Sequence, residues 1–370
     1  MNRLSVVLLA AALCACGGVR DQIRIATASA AFDARELIDV LPADRITAIT
    51  RPAFETPTKA GEWLDDKAPV IAVSDGREAR AYPLAIMLWH EVVDDVLGTA
   101  PVAVTYAPLA NAAVVYERRP AGAPYGGRAV ELRVSGKLYR SDLVLYDRQT
   151  AHGGGRAKAT ETLWIQMVGR AVAGPGAGAT LTPLPSQIVS LSSFRAAYPN
   201  GAVLARPGDG RAYGFDPYAG YDSRATPFSG FIAIKADPRR PAMQRVVGVS
   251  DAGGSVAFGY DRLRAQRVVE SADDVVFWQP GARSALDAAH VQDARDVGET
   301  GVFRRTDRSG TALHFVALPN GGFRDVQTGS TWDVLGRAVD GPRKGDQLRP
   351  VVHLDTFWFA FSAFHPGASS

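Results

Sequence analysis

The chain has 370 residues, with 41 Lys or Arg against 38 Asp or Glu and 46% hydrophobic side chains. That near-balance excludes nucleic acid as a partner, because phosphate recognition needs a dense cationic face. The length suits two domains or one large duplicated one.

Arg3 precedes the apolar run Leu4 to Leu13, and small residues follow at Ala15-Cys16-Gly17-Gly18. An apolar stretch of about ten residues is too short to cross a bilayer as a helix and reads as a secretory signal. Its ending, Leu13-Cys14-Ala15-Cys16, resembles a bacterial lipobox. Residues 1–15 are therefore expected to be a lipoprotein signal peptide, with Cys16 carrying the lipid (palmitate chemistry) that anchors the protein to the membrane. Gly17 after Cys16 favours the outer membrane, facing the periplasm, so the expected location is the bacterial cell envelope. Both cysteines of the chain lie here. The mature chain can then form no disulfide and no cysteine-ligated metal site, and its own apolar core must hold it. No cofactor or metal is expected.

Residues 16–63 read as tether and lead-in, with a short helix around Ala34 to Val40 and a Pro- and Thr-rich stretch from Arg51 to Trp63. Val70 to Tyr82 is a hairpin around Asp75-Gly76, which supplies the positive φ of a tight turn. Short β-patterned runs follow at 102–106, 112–116, 130–134, 143–146 and 163–168, punctuated by Gly and Pro. Helices are expected at Leu84 to Val93, Ser192 to Tyr198 and Asp355 to Phe364. Residues 151–160 read as a surface insertion.

The stretch Gly169-Arg170-Ala171-Val172-Ala173-Gly174-Pro175 returns as Gly336-Arg337-Ala338-Val339-Asp340-Gly341-Pro342, each after a Trp (Trp164, Trp332). The hairpin device returns as well, at Val246 to Tyr260. These repeats predict a β-rich α+β fold, internally duplicated, with two pseudo-equivalent lobes (64–205 and 240–370) joined by a linker (206–239). Each lobe is expected to be closed by a short aromatic helix. A residue present in both copies is then a candidate for structure, and a chemically capable residue in one copy only is a candidate for function.

By that criterion two groups stand out. His90-Glu91-Val92-Val93-Asp94 puts an imidazole and two carboxylates within five residues, and helical spacing sets His90 and Asp94 on one face. Such a group suits a metal or a general base, while a hydrogen-bonded helix-end His is the structural alternative. The second copy has Gln266-Arg267-Val268-Val269-Glu270 there and loses the His. Ser135, Tyr139, Ser141 and Asp142 form the other group, suited to a polar ligand or to turn-stabilising hydrogen bonds. Asp147 has a counterpart in Asp325 and reads as structural. His152-Gly153-Gly154-Gly155 resembles an esterase oxyanion loop, but no Gly-x-Ser-x-Gly turn accompanies it. Trp164 and Trp332 read as core pillars.

Longer motifs carry a family resemblance: Ala79-Arg80-Ala81-Tyr82-Pro83-Leu84, Trp89-His90-Glu91-Val92-Val93-Asp94, Ser135-Gly136-Lys137-Leu138-Tyr139-Arg140-Ser141-Asp142-Leu143 and Tyr146-Asp147-Arg148-Gln149-Thr150. With Asp216-Pro217-Tyr218-Ala219-Gly220-Tyr221 and Phe357-Trp358-Phe359-Ala360, the pattern resembles the bacterial and archaeal domain of unknown function numbered 3179, from about residue 45 to 367. After Thr-Tyr that family usually carries Cys-Pro-Leu-Cys, whereas this chain has Ala107-Pro108-Leu109-Ala110. Alanine can neither bind a soft metal nor act as a redox pair. Arg140 also replaces a common Asn.

The expectation from these readings is a lipid-anchored envelope protein whose first lobe binds a small polar ligand or an envelope protein. The competing expectation is a metal-dependent or acid/base enzyme centred on His90, Glu91 and Asp94.

Overall fold

A computed structural model describes residues 32–150, 161–231, 237–251, 254–307 and 310–369. The expected signal peptide, Cys16 and the expected insertion at 151–160 lie outside the described residues. The fold is β-rich α+β, with five sheets and short helices among the described residues.

The predicted hairpin pairs Pro69–Ser74 with Ala79–Pro83. Asp75 shapes its turn by accepting the amides of Arg77 and Glu78 at 2.8 and 2.7 Å, and Gly76 takes φ +88°. The helix Leu84–His90 follows directly and is buried along almost its whole length. It stops three residues earlier than the expected Val93. Glu91 turns left-handed at φ 58° and its amide bonds Met87 O, so β-branched Val92 and Val93 start the strand Val92–Leu97. Asp94 therefore stands on a strand, and the helical face shared with His90 does not exist. The last helix is shorter too: His353–Phe357 is a strand and only Trp358–Phe364 is helical. The expected helix around Ala34 is a single 3-10 turn, Ala34–Glu36, running into the strand Leu37–Asp39.

The largest sheet has nine strands, in the spatial order Leu37–Asp39, Leu132–Tyr139, Asp142–Asp147, Leu163–Ile165, Arg170–Ala173, Thr180–Leu184, Ala112–Ala121, Ala100–Ala107 and Val92–Leu97. All its pairings are antiparallel. The sheet curls back on itself, and the lead-in closes the gap. Ile49 N bonds Val92 O and Asp94 N bonds Ile49 O at one margin; Leu41 N and Asp44 N bond Gly136 O and Val134 O at the other. Leu132 N also donates to Asp94 Oδ2 at 3.0 Å, tying the two margins directly.

A five-stranded sheet joins Ser186–Ser190, Pro69–Ser74, Ala79–Pro83, Ala202–Leu204 and Phe54–Glu55. Two three-stranded sheets and one four-stranded sheet hold the rest of the chain, from Arg245 onward. Two apolar cores draw on residues from both 64–205 and 240–370. The largest cluster runs from Val102, Tyr106 and Trp164 in the nine-stranded sheet to Val246, Phe357, Trp358 and Phe361. A second cluster packs Val70, Leu191 and Phe194 against Phe277, Phe303 and Trp332.

The two Trp pillars are buried as expected and held alike. Trp164 Nε1 donates to Asp147 Oδ2 at 3.0 Å, and Thr150 donates its amide and hydroxyl to Asp147 Oδ1. Trp332 Nε1 donates to Asp325 Oδ2 at 2.9 Å, and Thr328 repeats both bonds. No helix among the described residues is long and apolar enough to cross a membrane.

Candidate functional site

Two of the predicted residues, Glu91 and Asp142, are buried within electrostatic reach of each other in the first half of the chain. Glu91 is carried to the interior by the left-handed helix end, and Asp142 by the turn that precedes it. Tyr139 pairs with Asp142 across Arg140 and Ser141, both at positive φ (53° and 66°), which is the geometry of a two-residue hairpin turn. Asn at position 140, common in the resembling family, suits that conformation better than Arg. Arg140 is anchored instead by Glu36 and by Ala363 O, at 2.5 and 2.8 Å.

Asp142 is fully buried and Glu91 is 6% exposed. Asp142 Oδ2 accepts Met167 N at 2.8 Å, while Oδ1 has no hydrogen-bond partner. Burial pushes Asp142 up to about 8, against the pull of backbone amides at Met167, Leu143 and Gln166. Glu91 is pushed up to about 8 as well, first by burial and then by the charge of Asp142. Near neutral pH this pair holds protons that ordinary carboxylates have lost, so it can donate hydrogen bonds as well as accept them.

Further buried polar side chains that the sequence reading did not single out belong to the same half of the chain. Gln166 donates Nε2 to Thr105 Oγ1 and Ala112 O at 2.9 and 3.2 Å, and Tyr116 donates its hydroxyl to Gln166 O at 2.7 Å. Asn111 accepts from Tyr106 OH at 3.0 Å. Gln166 Oε1 and Asn111 Nδ2 are buried without a partner. Gln166 follows Trp164 by two residues, where Val334 follows Trp332; the one-copy criterion applied there would have found it. Ala107 and Ala110, at the positions of the missing Cys pair, are buried, and Ala110 O is capped by Thr356 Oγ1 at 2.7 Å.

The other predicted residues go elsewhere. His90 is buried with Nδ1 2.6 Å from Thr47 O and Nε2 2.7 Å from Tyr213 OH, and its pKa is lowered chiefly by burial. Tyr213 also donates to Asp209, so His90 fastens the linker segment to the helix. Asp94 accepts Leu132 N and lies 3.4 Å from Arg118. Burial raises it to about 7 despite that guanidinium. Ser135 donates to Val144 O at 2.5 Å and braces a bulge at Gly136. Tyr139 packs on Phe32 and Phe364 and accepts Asp33 N. Ser141 occupies the hairpin turn. His90, Glu91 and Asp94 thus point to three separate sets of partners, and no group of three or more His, Asp, Glu or Cys among the described residues could hold a metal ion.

Comparison with known proteins gives one match: a family model described as a protein of unknown function (DUF3179) covers residues 43–368, nearly the whole chain. No curated protein and no solved structure matches.

Proposed function

The chain belongs to the DUF3179 family, and from that premise we propose that it is a lipid-anchored envelope protein that binds a small polar ligand between Glu91, Asp142, Gln166 and Asn111. One observation carries this reading: Asp142 Oδ1, Gln166 Oε1 and Asn111 Nδ2 are buried and unpartnered. Each orphaned group in a dry interior costs about 1–3 kcal/mol, so their persistence favours an occupant that satisfies them. A protonated carboxyl beside an amide recognises hydroxyl, amide or amine groups, without needing a metal or a nucleophile. The two carboxyls raised to about 8 would bind a neutral donor below that pH and a cation above it.

The anchor is Cys16, and it places the binding domain on the periplasmic side of the outer membrane. The protein's acyl group accounts for the membrane as partner; nucleic acid plays no part.

Native mass spectrometry of the full-length protein, extracted from its own membrane in mild detergent, tests both parts. Wild type should carry a non-covalent small-molecule mass that Asp142→Asn and Gln166→Leu lose while remaining folded. An unliganded wild type would sink the binding reading. Cys16→Ala should lose the covalent acyl mass; an unchanged mass would sink the anchor.

A further inference from the structure

The tripeptide Pro-Asn-Gly occurs twice in the chain, at 199–201 and at 319–321. Both copies form the same four-residue turn, closed by the glycine amide. Gly201 N donates to Tyr198 O at 2.9 Å, and Gly321 N donates to Leu318 O at 3.2 Å. Both asparagines are exposed, and neither side chain makes a hydrogen bond among the described residues. Sequence and turn therefore treat Asn200 and Asn320 alike. The surroundings of the two glycines do not.

Gly201 is wedged against the core. A Cβ built on it would stand 2.7 Å from Cζ of the fully buried Phe194. The chain then enters the strand Ala202–Leu204 at once, where Ala202 pairs with Arg80 and Val203 is buried. Gly321 is exposed at the tip of the hairpin Phe315–Ala317/Phe323–Asp325, and a Cβ there would meet nothing within 4 Å. Gly322 follows it, and both glycines have positive φ (96° and 74°). A glycine in open space can leave its turn bond and swing, at little steric cost. One packed between a core ring and a strand cannot.

We infer that Asn320 is a spontaneous deamidation site of the folded protein and that the fold protects Asn200. The Gly321 nitrogen attacks Asn320 Cγ and forms a five-membered imide. The Cγ–Nδ2 bond breaks, and ammonia leaves with the proton that the Gly321 amide gave up. Water then opens the imide at either carbonyl, leaving aspartate or isoaspartate. No oxidant, metal or enzyme is required. The product adds a negative charge to the turn. Isoaspartate also inserts one more backbone atom into a loop closed by Leu318 N on Gly322 O at 3.0 Å. That loop holds Arg267 through Leu318 O, at 2.7 Å, and Gln279 through Gly322 N, at 3.1 Å.

Ageing the purified full-length protein at mildly alkaline pH, followed by peptide mass mapping, tests this. In the native protein the peptide containing Asn320 should gain about one mass unit, several-fold faster than the peptide containing Asn200. In concentrated urea the two peptides should convert at similar rates, because the fold no longer restrains Gly201. Asn320→Gln changes an exposed turn residue and should fold. It should abolish the faster conversion and leave the rate at Asn200 unchanged. An Asn320 peptide that keeps its mass, an Asn200 peptide that converts as fast in the native protein, or a rate gap that persists in urea would each overturn the assignment.

Discussion

Two helix ends share one backbone and differ in what they carry. The helix Leu84–His90 ends on Glu91 at φ 58°, and the helix Tyr260–Gln266 ends on Arg267 at φ 61°. In both, the amide of the turning residue returns to the helix, and its carbonyl accepts an amide from a nearby strand: Tyr106 N at 2.8 Å in one case, Trp278 N at 2.9 Å in the other. The side chains then part. Arg267 donates to Leu318 O at 2.7 Å, whereas Glu91 turns into the interior within electrostatic reach of Asp142. The contrast shows that the turn does not require a carboxylate. A buried Glu there is chemistry added to a device that works without it. The Trp corners give the opposite lesson: Asp147 and Asp325 share the bonds from a Trp and a Thr, and Asp147 adds one from the Tyr125 hydroxyl at 2.7 Å, as groups that hold the fold would.

The comparison breaks most visibly in pH. The folded-state values of Glu91 and Asp142 lie above their ordinary 4.5 and 3.8, so the folded protein keeps protons that the unfolded chain has released. Stability contributed below pH 4 is therefore lost as pH rises to about 8, at about 1.4 kcal/mol per group for each pH unit above its ordinary value. Urea unfolding of wild type and of Glu91→Gln/Asp142→Asn across that window measures it: the double variant should lose far less stability over the window. A wild-type curve as flat as the variant's would remove Glu91 and Asp142 from consideration as a buried pair. Next come the twin corners. Asp147→Ala and Asp325→Ala should each cost about 3 kcal/mol, because each strands an indole N–H and a Thr hydroxyl in the core, with Asp147→Ala the costlier because it also strands the Tyr125 hydroxyl. Urea midpoints that differ by more than half would mean the corners are not equivalent. Glu91→Gly should gain roughly 1 kcal/mol by relieving the left-handed backbone, while Arg267→Gly should come out near zero because the bond to Leu318 O is lost. Smallest is Tyr213→Phe, which removes the hydroxyl that bonds both His90 and Asp209 and should cost about 1 kcal/mol in thermal unfolding.

Local chemistry was legible in the sequence, and long-range convergence was not. The Asp75-Gly76 turn, the β-rich alternation and the Trp pillars follow from neighbours a few residues apart. The helix from Leu84 was overrun because apolar Val92 and Val93 resume just past His90 and Glu91, and no Gly or Pro marks the left-handed turn at Glu91. Of the predicted site residues, Glu91 and Asp142 converge, although 50 residues separate them in the chain. His90 and Asp94, close in sequence, diverge because a helix hands over to a strand between them. Gln166 and Asn111 enter through strand pairings that only the closed sheet defines.

The lead-in that seals the nine-stranded sheet also bears on how the protein behaves among other unfolded chains. A sheet margin with free amides and carbonyls is a template for pairing with a neighbour and so for aggregation. Here the long strand at one margin, Val92–Leu97, is bonded at its first residues by Ile49, and the other margin ends in a strand of only three residues, Leu37–Asp39. Truncation to about residue 50 would uncover both margins at once. The expected result is a protein that precipitates on refolding rather than one that merely melts earlier.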